Sequence, residues 1–410
     1  MFNYLRILAV FIFISSCKQT KQDTDPISGL WRFELQLDST GIILPFFMEI
    51  SQKPDKSYLA ILMNGEERIL HDDLRFENDT LRVKSPIFNS EIIVHHKQNT
   101  FEGFWYDYSR GDSYKIALTA KYNLDQRFSF KNQLSAKANG KWLAVFGPDS
   151  DYPDSTIGIF NTGENGVLTG TFLTTTGDYR FLEGGFDGND LKISAFDGSH
   201  AFLFNAKLEH DTFFGTFYSG NHFQQDFKAW KNDSFELNNP YEITSAIDGN
   251  RPMDFSAIST DKEKIALTDE RFKGKPVIVQ VLGTWCPNCM DESIFLARNQ
   301  KQIKDKGVEI VALAFERSDF AGVLAQLKKY QTNLEIEYTF AYAGRASKDS
   351  ASAFFPQLSN ISAFPTTIFL REDHTIYKVH TGYYGPGTGV YFDRQADEFW
   401  RNVHEIATPK

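Results

Sequence analysis

A chain of 410 residues with 41 % hydrophobic and 23 % charged residues has the composition of ordinary folded domains, and no apolar run after residue 16 approaches membrane-spanning length. Its formal charge of −10 argues against nucleic acid as a partner. At this length two or three domains are expected.

Residues 1–16 read as a secretory signal: Arg6 near the start, the apolar run Ile7 to Ile14, then small residues before Cys17. Ile14-Ser15-Ser16-Cys17 resembles a bacterial lipobox, which implies cleavage before Cys17 and lipidation of its sulfur. The mature protein is then expected outside the cytoplasm, lipid-anchored in the cell envelope and facing the periplasm, with residues 17–27 as a polar tether.

From residue 28 to 233 short alternating segments such as Trp31-Arg32-Phe33-Glu34-Leu35 and Leu191-Lys192-Ile193 are separated by turns rich in Gly, Asn and Asp. Period-two alternation over short runs predicts antiparallel sheet with one buried face. The region repeats itself. Gly29-Leu30-Trp31 returns as Gly140-Lys141-Trp142, Arg68-Ile69-Leu70 as Arg180-Phe181-Leu182, Asn78-Asp79 as Asn189-Asp190, and Thr100-Phe101-Glu102-Gly103 as Thr212-Phe213-Phe214-Gly215, all at an offset of 111 or 112 residues. One register relating four matches predicts two similar barrel- or sandwich-like β-modules, 28–130 and 138–233. Gly-x-Trp at the start of each resembles the first strand of lipocalin-like barrels, whose interiors can hold a small apolar ligand. A Trp at that place is also an ordinary core plug.

After a linker over 234–252, apolar β-runs interleave with amphipathic segments: Val277 to Leu282, Val308 to Phe315, Phe320 to Tyr330, Tyr338 to Tyr342, a helical stretch after Lys348, Thr367 to Leu370, Ile376 to His380 and Tyr391 to Ile406. This predicts an α/β domain over 253–410 with helices on both faces of its sheet. Trp285-Cys286-Pro287-Asn288-Cys289 sits where the first strand gives way to a helix. A sulfur there lies over unpaired helix N–H groups, which favour thiolate over thiol. Zinc has the same Cys-x-x-Cys spacing but needs two more ligands; the only other cysteine is Cys17, and no His pair of suitable spacing lies near. No metal and no cofactor beyond the Cys286–Cys289 disulfide itself is therefore expected. A lone pair spaced for exchange, in a compartment where disulfides persist, reads as a working dithiol. The Gly385-Pro386-Gly387-Thr388-Gly389 loop lacks the Lys-Ser/Thr of a P-loop and is expected to be a tight turn before the last helix.

Together with Asn360-Ile361-Ser362-Ala363-Phe364-Pro365-Thr366-Thr367, Lys273-Gly274-Lys275-Pro276 and Cys289-Met290-Asp291-Glu292, the dithiol resembles the thioredoxin superfamily, specifically its extracytoplasmic TlpA-like and ResA-like branch, over roughly residues 253–407. The resemblance implies a cis Pro365 facing the dithiol and available to a client backbone. It also implies Cys286 as an exposed attacking thiolate beside Trp285, and Cys289, more buried, as the resolving thiol. Thioredoxin's buried Asp on the preceding strand is replaced here by Gln280, which cannot titrate. Glu292 is the candidate proton relay instead, with Glu316 a second carboxylate candidate. The implied activity is a thiol–disulfide oxidoreductase acting on client proteins with disulfides and supplied by a membrane electron donor. Two other readings compete. A thiol peroxidase would present Thr or Ser three residues before the nucleophile, where this chain has Gly283. A binding lipoprotein would capture a client or ligand on its β-modules and service it with the redox domain.

Overall fold

The computed structural model describes residues 25–131, 138–164 and 166–408. The signal segment and the expected lipidation site Cys17 lie outside them.

Eight antiparallel strands close the first barrel: β1 (Gly29–Gln36), β2 (Ile43–Gln52), β3 (Tyr58–Asn64), β4 (Glu67–Glu77), β5 (Thr80–Lys84), β6 (Ser90–Lys97), β7 (Thr100–Asp107) and β8 (Lys115–Tyr122), with β8 pairing back onto β1. The β4–β5 turn is made by Asn78 and Asp79 at positive φ, the geometry that matches a two-residue turn to strand twist. The second barrel runs through β9 (Gly140–Phe146), β10 (Asp154–Thr162), β11 (Leu168–Thr174), β12 (Gly177–Asp178), β13 (Leu182–Asp187), β14 (Asp190–Phe196), β15 (Ala201–Glu209), β16 (Thr212–Ser219) and β17 (Phe223–Lys231), closed by pairing of β10 with both β9 and β11. The repeat seen in the sequence is thus a repeated closed barrel.

Its signature residues do the same work twice. The indole N–H of Trp31 donates to the Ile27 carbonyl at 2.7 Å, and that of Trp142 to Ala138 at 2.6 Å. Each Trp then packs on the repeat-equivalent Phe101 or Phe213, 4.4 and 4.7 Å between ring centroids. Gly103 and Gly215 lie where a neighbouring strand passes so close that a Cβ would stand 2.1 Å from the Ile93 oxygen or 2.4 Å from the Asn205 oxygen. Both interiors are filled by large apolar side chains. Gly-x-Trp is therefore a plug.

The copies differ at one strand. Where β4 runs unbroken for eleven residues, its counterpart parts into β12 and β13, and Arg180 between them takes φ +66°. Arg68 at the equivalent place is exposed, whereas Arg180 is buried. The barrels are joined by Phe196, stacked on Phe46 at 4.3 Å, and by the buried Arg127, which donates to the Met63 carbonyl at 2.7 Å and pairs with Glu183 at 3.1 Å.

The C-terminal unit holds a seven-stranded sheet in the order β19 (Lys264–Ala266), β18 (Ser256–Ser259), β22 (Thr339–Arg345), β21 (Glu309–Glu316), β20 (Val277–Leu282), β23 (Thr366–Leu370), β24 (Ile376–Thr381). β20, β21 and β22 are parallel, and β23 runs antiparallel to β20. Helices α1 (Pro287–Asp305), α2 (Phe320–Asn333) and α4 (Val390–Ala407) pack on the face bearing Ile278, Ala312 and Phe369. The opposite face, Val277, Val279 and Val281, is covered by α3 (Lys348–Phe354) and the entry segment from Met253. All six residues of β20 are buried, which is why the sequence reads as an apolar run broken only by Gln280.

Candidate active site

At the carboxyl end of β20 the chain turns through Gly283, Thr284 and Trp285 and enters α1 with Cys286 as N-cap. Pro287 fills the first helical position, where a missing N–H costs nothing. The Cys289 N–H donates to the Cys286 sulfur at 3.2 Å, so a helix-terminal donor is aimed at that atom. The two cysteines are disulfide-bonded, 5.2 Å apart at Cα. Cys289 is fully buried. Cys286 is only 7 % exposed, which corrects the expectation that it stands open to solvent.

The cover comes from the barrels. Ile87 and Phe88, in the β5–β6 loop of the first barrel, belong to the same apolar cluster as Cys286, Cys289 and Trp285. That loop is gripped by α2: Gln326 donates to the Ile87 carbonyl at 2.6 Å, Lys329 to Phe88 at 3.3 Å, and Asn333 to Pro86 at 2.6 Å. From the second barrel, Ser199 donates to the Trp285 carbonyl at 3.3 Å, and Gly177 lies against the Asn288 side chain. Sequence reasoning missed this arrangement, because nothing in a barrel loop announces what it will pack on.

Arg180 ties the three units together. Its guanidinium pairs with Asp291 on α1, with Glu67 of the first barrel, and with Asp197 of the second at 3.6 Å. Burial disfavours its charge, but the surrounding carboxylates, Asp291 foremost, more than offset this and hold it protonated. Beside it the Asp178 carboxylate accepts from the Gly385 N–H at 2.6 Å. Gly385 opens the short turn Pro386–Thr388 that leads into α4, the role expected of that loop.

The other expected residues converge on the dithiol. The Phe364–Pro365 bond is cis, and the Phe364 carbonyl oxygen lies 3.6 Å from the Cys286 sulfur. Trp285 packs edge-on to Phe364, donates its indole N–H to the Phe315 carbonyl at 3.0 Å, and lies under Arg317 at 4.9 Å. A Cβ at Gly283 would stand 2.4 Å from the indole nitrogen, so the Thr or Ser of a peroxidase site does not fit beside this Trp.

Glu292, one helical turn beyond Cys289, is buried behind the motif and accepts from Gln280 at 2.9 Å and from the Thr367 hydroxyl. Gln280, where a titrating residue was missing, is therefore the hydrogen-bond partner of the carboxyl that replaces it. Burial pushes Glu292 up to about 7, against those hydrogen bonds. Glu316, at the end of β21, accepts from the Thr284 N–H at 2.8 Å, and burial raises it to about 7 as well. Among the described residues no cluster of three or more His, Cys, Asp or Glu is placed to hold a metal.

A dithiol at a helix N-terminus, facing a cis proline at the start of an inner strand of a mixed sheet, defines a thioredoxin-fold redox domain. The Redoxin family model matches residues 247–390. Thiol-disulfide oxidoreductase ResA of Bacillus subtilis (strain 168) is 30% identical over 138 residues, 34% of this chain and 69% of that protein. Thiol:disulfide interchange protein DsbE of Pseudomonas aeruginosa is 33% identical over 84 residues, 20% of this chain and 44% of that protein. A solved thioredoxin-family thiol:disulfide interchange protein from Chlorobium tepidum TLS aligns over 40% of this chain and 100% of its own at 21% identity, with a TM-score of 0.30. The chain belongs, through its C-terminal domain, to the ResA-like thiol–disulfide oxidoreductases of the thioredoxin superfamily.

Proposed function

We propose that this protein is a lipid-anchored reductant of the bacterial cell envelope that transfers two electrons from the Cys286–Cys289 dithiol to disulfides in client proteins and is recharged by a membrane electron donor. The units 28–130, 138–233 and 253–410 divide the work between two barrels and one redox domain. The observation that carries the reading is the helix-terminal N–H on the Cys286 sulfur opposite the cis proline, a placement that favours the thiolate as attacking group. Cys289 resolves the mixed disulfide. Glu292 accepts its proton, since a carboxyl near 7 is matched to a transfer at neutral pH. Glu316 holds the Thr284 segment that aims Cys286.

Equilibration with glutathione buffers tests the direction of electron flow. A potential near thioredoxin's, about −270 mV, supports a reductant, and one near −120 mV would reverse the assignment. The same reaction followed in time across pH 6–8 tests Glu292. Only its carboxylate can accept the thiol proton, so resolution should quicken as pH rises through about 7, and Glu292→Gln should lose that rise. For the anchor, Cys17→Ala should move the protein from the membrane to the soluble fraction; retention on the membrane would refute lipidation at this site.

A further inference from the structure

A disulfide on a flat folded surface cannot reach a sulfur that is 7 % exposed beneath Phe88 and Trp285. Beside it, between the first barrel and the redox domain, lies a cleft of about 440 Å³, within the roughly 300–1,000 Å³ range of small-ligand sites. Its barrel wall is the segment Tyr108–Asp112 after β7, and its other wall runs from Glu316 to Gln326. Thr284 and Trp285, the two residues before Cys286, line it, and so does Phe88, which also packs in the sulfur's own cluster. The cleft has room for a short stretch of chain.

Its lining balances two arginines against two carboxylates, in a molecule whose formal charge is −10. Arg110 and Arg317 both line it. Arg317 is fixed over Trp285 and donates to the Ser109 carbonyl and hydroxyl, each at 3.0 Å; Arg110 is held by Asp107 at 3.0 Å. Of the lining carboxylates, Glu316 is turned to the Thr284 N–H and Asp112 is exposed. Two guanidiniums at the approach to a redox centre favour an anionic visitor.

We propose that the first barrel supplies the outer wall of the client site, and that a client's disulfide reaches Cys286 through this cleft on an extended segment carrying carboxylates. The inference rests on the reading of Cys286 and Cys289 as a working dithiol. The Cys286 thiolate attacks one client sulfur; a new S–S bond forms, the client's own S–S bond breaks, and its second sulfur leaves as thiolate. Cys289, deprotonated, attacks Cys286, so the client departs as a dithiol reduced by two electrons and the Cys286–Cys289 disulfide forms. As Cys289 attacks, the mixed disulfide breaks and frees the client's first sulfur; the proton Glu292 took from Cys289 and one proton from solvent, replacing the one Cys286 lost on ionising, end on the client's two sulfurs.

The test mixes reduced full-length protein, in single turnover, with short synthetic peptides carrying a disulfide flanked by Glu or by Lys, and with uncharged hydroxyethyl disulfide. At low salt the Glu peptide should react faster than the Lys peptide by about tenfold, and the ratio should fall toward one as ionic strength is raised. Arg110→Glu should reverse the preference, and where that variant misfolds the salt series on the wild-type protein decides. Equal rates for both peptides at low salt, with hydroxyethyl disulfide still reduced, would overturn the cleft assignment and leave the dithiol reading standing. Failure of all three disulfides to react would overturn both.

Discussion

Cys286→Ser is expected to abolish reduction of any disulfide substrate, by about three orders of magnitude or more, whereas Cys289→Ser should accumulate a stable mixed disulfide. The asymmetry follows from position. Cys286 is the N-cap sulfur that receives the Cys289 N–H and faces Phe364 and Pro365, while Cys289 is fully enclosed and can reach only its neighbour. Mass spectrometry of each variant after exposure to a peptide disulfide would separate the roles. An adduct on Cys286→Ser, carried by Cys289, or normal turnover by that variant, would defeat the assignment.

Arg180→Met should have the second largest effect. The side chain is 2 % exposed and is shared by Glu67, Asp197 and Asp291, one carboxylate from each structural unit. Removing the cation leaves buried carboxylates facing one another, a kind of loss that costs about 3–5 kcal/mol when one member of a buried pair is deleted. Denaturant unfolding should show a drop of that order, and iodoacetamide should label the reduced Cys286 faster because the barrels no longer hold their cover in place. If both the unfolding midpoint and the labelling rate match the wild type, Arg180 does not hold the units together. The same unfolding experiment has a pH signature. Glu292 and Glu316 have folded-state values raised by burial from 4.5 to about 7, so their contribution is fully present below about 4.5 and is lost as pH rises through 7. For each, about 3 kcal/mol is the largest loss expected.

The redox domain could be read from the sequence because its chemistry is local: strand, turn, capping cysteine and helix follow one another within a few residues, and the buried strands show as mostly apolar runs. The duplication was equally legible, since Trp31 and Trp142, or Gly103 and Gly215, meet the same steric demand twice. The roles of Gln280 and Glu292 were half visible. Their mutual hydrogen bond spans a strand and a helix, and spacing along the chain does not reveal which of them faces the other. What stayed hidden was the meeting of the units. Phe88, Ser199 and Asp178 look like ordinary loop residues, and Arg180 shares a repeat register with the exposed Arg68, so pattern alone would place it in solvent. Its burial depends on a strand that parts in one copy and not in the other.

That parted strand has an architectural consequence. A continuous barrel strand fixes the direction of each side chain, because its backbone groups are spent on adjacent strands. By releasing residues 180–181 from the ladder, the second copy lets Arg180 take φ +66° and turn its guanidinium to Asp291 on the redox helix, while the intact copy leaves Arg68 exposed. Duplication thus separated scaffold from connector: one barrel strand stayed whole, and its twin gave up part of one wall to become the point of attachment between the three units.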